Sequence, residues 1–98
     1  MTITEKRDGK KLELNLEGRL DTMTAPELEA KISQSIGDID ALVLNFEKLD
    51  YISSAGLRVL LATHNNMEGK EGLHIVNVND LVQEVFEVTG FADILNID

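Results

Sequence analysis

The sequence predicts an α/β domain, a mixed sheet of four to five strands packed with three to four helices in one unit spanning residues 1–98. Three observations carry this. Apolar and polar residues alternate at period two over residues 10–20, and apolar residues recur at three- and four-residue spacing after Thr24, Leu57 and Asn79. Nearly unbroken apolar runs cover residues 41–46 and 73–78. Strands alternating with helices imply right-handed crossovers, with helices on one or both faces of a parallel or mixed sheet. At 98 residues and 43% hydrophobic content, the chain suffices for one core and leaves no material for a second lobe. No internal repeat, low-complexity tract or linker interrupts it.

Each element has a local cause. Leu12, Leu14 and Leu16 alternate with Glu13, Asn15 and Glu17, the pattern of a half-buried strand. Residues 1–6 are placed as its hairpin partner, joined by a two-residue turn at Asp8-Gly9. Thr24 and Glu27 have the spacing of a capping box, and Pro26 falls in the first turn, where its missing N–H costs nothing. Leu28, Ile32 and Ile36 follow at helical spacing, and Gly37 is expected to end that helix as its C-cap. The apolar run at residues 41–46 suits a strand covered on both faces. From Leu57, the residues Leu57, Leu60, Leu61 and His64 describe a second helix, closed by Gly69. Residues 73–78 form another strand. Asn79 caps a third helix with Val82, Val85 and Phe86 on one face and Gly90 after it. Residues 91–97 close the chain with a short strand.

Composition removes whole classes of function. Eighteen Asp and Glu against nine Lys and Arg give a formal net charge of -9. Such a field repels nucleic acid and anionic membrane surfaces, because phosphate binding needs clustered cations. With no Cys, disulfides and thiolate metal sites are excluded. The polar N-terminus lacks the apolar stretch of a signal peptide, and no apolar run approaches the ~20 residues of a membrane span. Two separated His residues and scattered carboxylates have no metal-ligand spacing. A soluble, cytoplasmic protein without a cofactor is the expectation.

Chemistry concentrates at Tyr51-Ile-Ser-Ser-Ala-Gly-Leu57. This stretch leaves the carboxyl end of a buried strand and opens a helix, the place where α/β sheets form their sites. Four roles are open to Ser53 and Ser54. Either hydroxyl could cap the helix by accepting an N–H bond. Ser54 fits the nucleophile elbow G-x-S-x-G at its last glycine, but Ile52 replaces the first, and a nucleophile needs an oriented base. His64 lies ~15 Å further along the same helix, and His74 is mid-strand with no acid to orient it. A phosphate-binding loop lacks both G-x-x-x-x-G-K-[ST] and G-x-G-x-x-G. The fourth role is a phosphorylation switch: a phosphoserine brings about -1.5 to -2 charges, tolerable at a helix N-terminus and disruptive on a docking surface. Arg58 stands beside the doublet. Asp21 also reads as a simple cap or turn before the Thr24 helix, and Gly56 as room for close helix approach.

The motif Leu44-Asn45-Phe46 with Leu49-Asp-Tyr-Ile-Ser-Ser-Ala-Gly-Leu57, the upstream Glu17-Gly-Arg-Leu-Asp21 and the downstream Val85-Phe-Glu-Val-Thr-Gly-Phe91 together resemble the STAS domain of bacterial anti-sigma factor antagonists. The likeness in order and spacing runs over residues 10–97. It implies a binding module and not an enzyme. Such a protein sequesters an anti-sigma factor that is also a serine kinase of the histidine-kinase-like ATPase fold, and so frees a sigma factor. The phosphorylated serine of the family maps onto Ser54, and a PP2C-type phosphatase reverses the modification. ATP and magnesium belong to the kinase. The implied partner-binding set is Asp21, Thr22, Ser53, Ser54, Gly56, Leu57 and Arg58. This chain departs at Ser53, where many members carry Asp. STAS domains also serve as subunits of transport complexes and as stress-signalling scaffolds with no phosphorylation cycle, which is the alternative job for the same fold.

Overall fold

A computed structural model describes all 98 residues. The order is β1 (Thr2–Asp8), β2 (Lys11–Leu20), α1 (Ala25–Ser35), β3 (Ala41–Ile52), α2 (Ser54–Asn66), β4 (Gly72–Val76), α3 (Asp80–Thr89) and β5 (Asn96–Ile97). The five strands lie in the sheet in chain order, with β1 and β2 antiparallel and every later pair parallel. Each parallel step moves to the next strand in the same direction, so right-handed crossovers place all three helices on one face.

Register decides what that face contains. Leu12 pairs with Leu42 and Leu14 with Leu44, while Leu73 and Ile75 stand opposite the same two β3 residues. These side chains and Phe46 are buried under Leu28 and Ile32 of α1, Leu57 and Leu60 of α2, and Val82 and Phe86 of α3, in one continuous core. The rings of Phe46 and Phe86 stack with centroids 6.3 Å apart, within the range where aromatic pairs add attraction beyond the area they bury.

The opposite face has no helix layer. Glu13, Asn15, Asn45 and His74 are half-exposed there, which corrects the expectation that β3 is covered on both sides. Ala41 and Val43 are buried on that face because β3 is the central strand: Glu13 and His74 flank Val43 in register.

Other local expectations shift by a few residues, each for a physical reason. The hairpin turns on Gly9 and Lys10, since Asp8 still pairs with Lys11 and Gly9 alone takes the positive φ, 61°, that a tight two-residue turn demands. Gly37 is not a left-handed cap; α1 tightens into a 3-10 turn over Ile36–Asp38. The second helix starts at Ser54, ahead of Leu57, and Gly69 lies in the turn beyond its end with φ 85°. β4 stops at Val76, because Asn77 turns the chain at φ 59° and its Nδ2 donates to Asn45 Oδ1 at 3.0 Å. A 3-10 turn over Phe91–Asp93 takes most of the last segment, leaving β5 two residues.

β3 outruns its neighbour. Its pairing with β4 ends at Asn45, yet it continues to Ile52 alongside β2, gaining two residues on β2 through irregularities in register. The edge so exposed is met by α3. Asn79 caps that helix as predicted, its Oδ1 accepting from Val82 N at 2.8 Å, and its Nδ2 donates to the Leu49 carbonyl at 2.8 Å. Asn79→Ala therefore removes a cap and orphans a strand carbonyl, and should cost about 1–3 kcal/mol in denaturant titration. Asn79→Ser, which retains a cap oxygen and loses the Leu49 bond, should fall between it and the parent.

Candidate functional site at the start of the second helix

β2 and β3 run in parallel to a common end, with Leu20 beside Ile52. The N–H of Ser53 donates to the Leu20 carbonyl at 2.9 Å, so the loops leaving both strands start from one point. α2 then rises directly off β3. Its first turn lies so close to the strand ends that a Cβ on Gly56 would stand 2.7 Å from Leu20 Cγ and 2.9 Å from Ile52 Cγ1. Close helix approach, one of the readings of Gly56, is thus what the packing requires.

This approach sorts the following residues by direction. Gly56 and Leu57 are buried, while Ser54 and Arg58 are exposed. Leu57, expected on the partner face, packs in the core with 7% of its surface exposed, because the contact at Gly56 turns that side of α2 onto the sheet. Ser54 and Arg58 are four residues apart and so are neighbours on the helix surface. No carboxylate lies within ion-pair distance of Arg58.

The capping expectation for the doublet fails. Ser53 has the extended backbone of an N-cap, φ -102° and ψ 176°, and its carbonyl accepts from Leu57 N at 3.0 Å, but neither serine side chain makes a cap bond. The Ser53 hydroxyl is buried without a hydrogen-bond partner, and Ser54 stands in solvent at the first helical position. The first-turn N–H groups of α2 are left without a side-chain acceptor, at the positive end of the helix dipole. That end is suited to an anion on Ser54.

Asp21 follows Leu20 directly, and its loop is closed by hydrogen bonds. Its Oδ1 accepts from the N–H of Met23 at 3.0 Å and of Thr24 at 3.1 Å, and its carbonyl accepts from Ala25 N at 2.8 Å. Asp21 is therefore the residue that caps the turn entering α1. The predicted Thr24–Glu27 box does not form; the Thr24 hydroxyl donates to the Arg19 carbonyl at 2.7 Å and accepts from Asp21 N at 2.9 Å. The capping rule applies one turn earlier, with Asp21 at the cap and Thr24 three residues on.

Sequence reasoning missed Arg19. Its guanidinium lies 4.4 Å from the centroid of the Tyr51 ring, with Nε 3.9 Å from Asp21 Oδ2. The cross-strand pairing of Arg19 with Tyr51 creates the contact, and no local motif announces it. Thr22 is exposed and, with Pro26 and Glu29 of α1 and Ala55, Arg58 and Ala62 of α2, lines a shallow groove between the two helices. The structure so brings together Asp21, Thr22, Ser53, Ser54 and Arg58 at one end of the sheet. A separate polar hollow, lined by Thr2, Thr4, Asn15, Asn45, Glu47 and Lys48, lies on the open face away from these residues.

Partial burial pushes the Asp21 pKa up, but the N–H groups of Thr24 and Met23, the Thr24 hydroxyl and the Arg19 charge outweigh it and hold the carboxyl below its ordinary value of 3.8. The ionised form thus favours the fold, a contribution complete above pH 3.8 and lost as pH falls through the lower folded value. In Asp21→Asn, stability measured by denaturant titration should fall less steeply than in the parent below that pH. Gly56→Ala forces a methyl against Leu20 and Ile52, and should cost about 1–3 kcal/mol by the same measurement.

The STAS domain family model matches residues 2–98. The anti-sigma-B factor antagonist of Staphylococcus aureus is 31% identical over 101 residues, covering 100% of this chain and 93% of that protein. Among solved structures, an anti-sigma factor antagonist from Mycobacterium paratuberculosis superposes with a TM-score of 0.89 at 24% identity, over 98% of this chain and 83% of that one. The Bacillus cell fate determinant SpoIIAA in its phosphorylated form superposes with a TM-score of 0.76 at 23% identity, over 99% of this chain and 91% of that one. With that family match across nearly its whole length, and the strand-to-helix site built as described, the chain belongs to the STAS domain family.

Proposed function

We propose that this protein is an anti-sigma factor antagonist, docking an anti-sigma factor through the Asp21 loop, the start of α2 and the groove between α1 and α2, with Ser54 as a phosphorylation switch. The observation that carries the reading is the state of Ser54: an exposed hydroxyl at the first position of an uncapped helix, on the same surface as Thr22 and Arg58. The name of the Staphylococcus aureus relative and the likeness to SpoIIAA in a phosphorylated form support it.

In this reading the anti-sigma factor is itself a serine kinase and brings its own ATP and magnesium. Ser54 Oγ attacks the γ-phosphorus, ADP leaves, and the hydroxyl proton passes to a base on the kinase. The new phosphate faces free N–H groups and the positive end of α2, and Arg58 follows one turn on, so the domain holds the added charge without unfolding. On the docking surface the same charge repels and desolvates poorly, and the complex separates. A PP2C-type phosphatase restores the hydroxyl by water attack at phosphorus. The cycle takes place where the sigma factor works, in the cytoplasm. Ser53, where the family resemblance implies Asp, puts no charge directly before Ser54, and Asp21 is an ionised group of the docking surface.

Incubation with the kinase and ATP, followed by intact and fragment mass spectrometry, should place one phosphate on Ser54. Ser54→Ala should bind the kinase and take up no phosphate. Ser54→Asp should weaken binding at least about tenfold without lowering thermal stability, since an acid at a helix N-terminus contributes about 0.3–1 kcal/mol. Full phosphorylation of Ser54→Ala would show the site to be elsewhere, and no phosphorylation by any partner kinase would leave a STAS scaffold.

A further inference from the structure

Charge is distributed unevenly along the chain. Residues 71–98 contain six carboxylates and no Lys or Arg, so they account for most of the net charge of -9. The same segment holds three of the four large apolar side chains exposed to solvent: Leu81 at 54%, Val88 at 80% and Ile94 at 46%.

On α3 these two features are segregated. Val82 and Phe86 enter the core. Leu81 and Val88 are seven residues apart, which at 100° per residue brings them within ~20° of one direction and about 10 Å apart along the axis. Half-buried Val85 lies between them on the core side, extending the apolar stripe down to the sheet. Asp80, Glu84 and Glu87 fall together on the adjoining solvent side, all exposed. The helix thus presents an apolar ridge along one side of its outer surface and an acidic strip along the other, over its whole length.

We propose that this outer face of α3 is a second docking surface, whose occupant is an amphipathic segment of a partner protein with an apolar ridge flanked by Lys or Arg. Charge complementarity selects that occupant. A second copy of this chain would set Asp80, Glu84 and Glu87 against their own counterparts, and nucleic acid or an anionic lipid surface would meet the same acidic strip. A basic amphipathic helix would pack its apolar side on Leu81 and Val88 while its cations reach the carboxylates beside them. The surface lies on a different helix from Ser54.

The probe is a dye-labelled, 18-residue peptide of Leu and Lys that forms an amphipathic helix, compared with a scrambled peptide of identical composition in which the two residue types do not segregate. Binding is read by anisotropy at about physiological salt, where surface charges are screened beyond ~8 Å, and located by amide chemical shifts. The amphipathic peptide should bind more tightly than the scrambled one and shift the amides of α3. Leu81→Ser with Val88→Ser, which keeps every charge, and Glu84→Gln with Glu87→Gln, which keeps every apolar group, should each weaken binding about tenfold. All four positions are exposed, and unchanged thermal melts would verify the fold. Equal binding of the two peptides, shifts centred away from α3, or parent-like affinity in the Leu81/Val88 double variant would overturn the proposal. So would self-association abolished by that double variant, which would assign the face to a second copy.

Discussion

The contact between Gly56 and the side chains of Leu20 and Ile52 determines where everything else at this site can stand. A residue with a Cβ would hold the first turn of α2 off the sheet. With glycine there, the helix lies against the ends of β2 and β3, and the Ser53 N–H reaches the Leu20 carbonyl. That hydrogen bond joins two loops that are more than thirty residues apart in sequence. It places the hydrogen-bonded Asp21 turn beside the start of α2. It also sets the rotation of the helix, so that Leu57 enters the core while Ser54 and Arg58 face outward.

The remaining architecture follows from strand lengths and crossover direction. Because every parallel step moves the same way, the helices share one face and the sheet keeps an open, polar side. β3 is longer than β4, which would leave its far edge with unpaired carbonyls. Asn79 answers this with one side chain, its amide bonding Leu49 and its oxygen capping α3. The third helix is thereby fixed to the same strand that delivers Ser53 and Ser54, and the Phe46–Phe86 stack holds its middle.

Electrostatics divide the molecule in a way that the net charge conceals. All nine cations fall within the first 70 residues, and the last 28 are acidic. Lys70 donates to the carbonyls of Ile36 and Ile39, and Lys31 pairs with Glu5. Arg19 is engaged with Tyr51 and Asp21. Arg58 alone among the cations carried by the three helices has no carboxylate or carbonyl partner, and it sits one turn from the exposed serine. A negative group introduced there meets an unpaired cation, whereas every charged group on the α3 face is a carboxylate.

Patterns with a short range were legible in the chain. Period-two alternation at Leu12, Leu14 and Leu16, helical spacing after Thr24 and Asn79, the Asn79 cap and the Gly90 left-handed end all appear in the structure, because each depends on residues within one turn or one strand pair. The α/β class and the strand-to-helix position of Ser54 followed from the same signals. Tertiary packing decided what local chemistry left open. At Thr24 the competition is itself local: its hydroxyl bonds Arg19 and Asp21, so the cap is Asp21, one of the two readings of that residue in the sequence. Ser53 has cap geometry without a cap bond, and Leu57, which its spacing put on the apolar stripe of the second helix and the resemblance put in the partner set, packs in the core. The pairing of Arg19 with Tyr51, the single helix layer and the meeting of the Asp21 and Ser53 loops depend on sheet register, which joins residues more than thirty positions apart. Sequence determined which segments could be helix or strand, since those choices are settled by neighbours along the chain. Only the folded sheet decided which side chains face one another, since that depends on which strands pair and on how closely a helix can approach them.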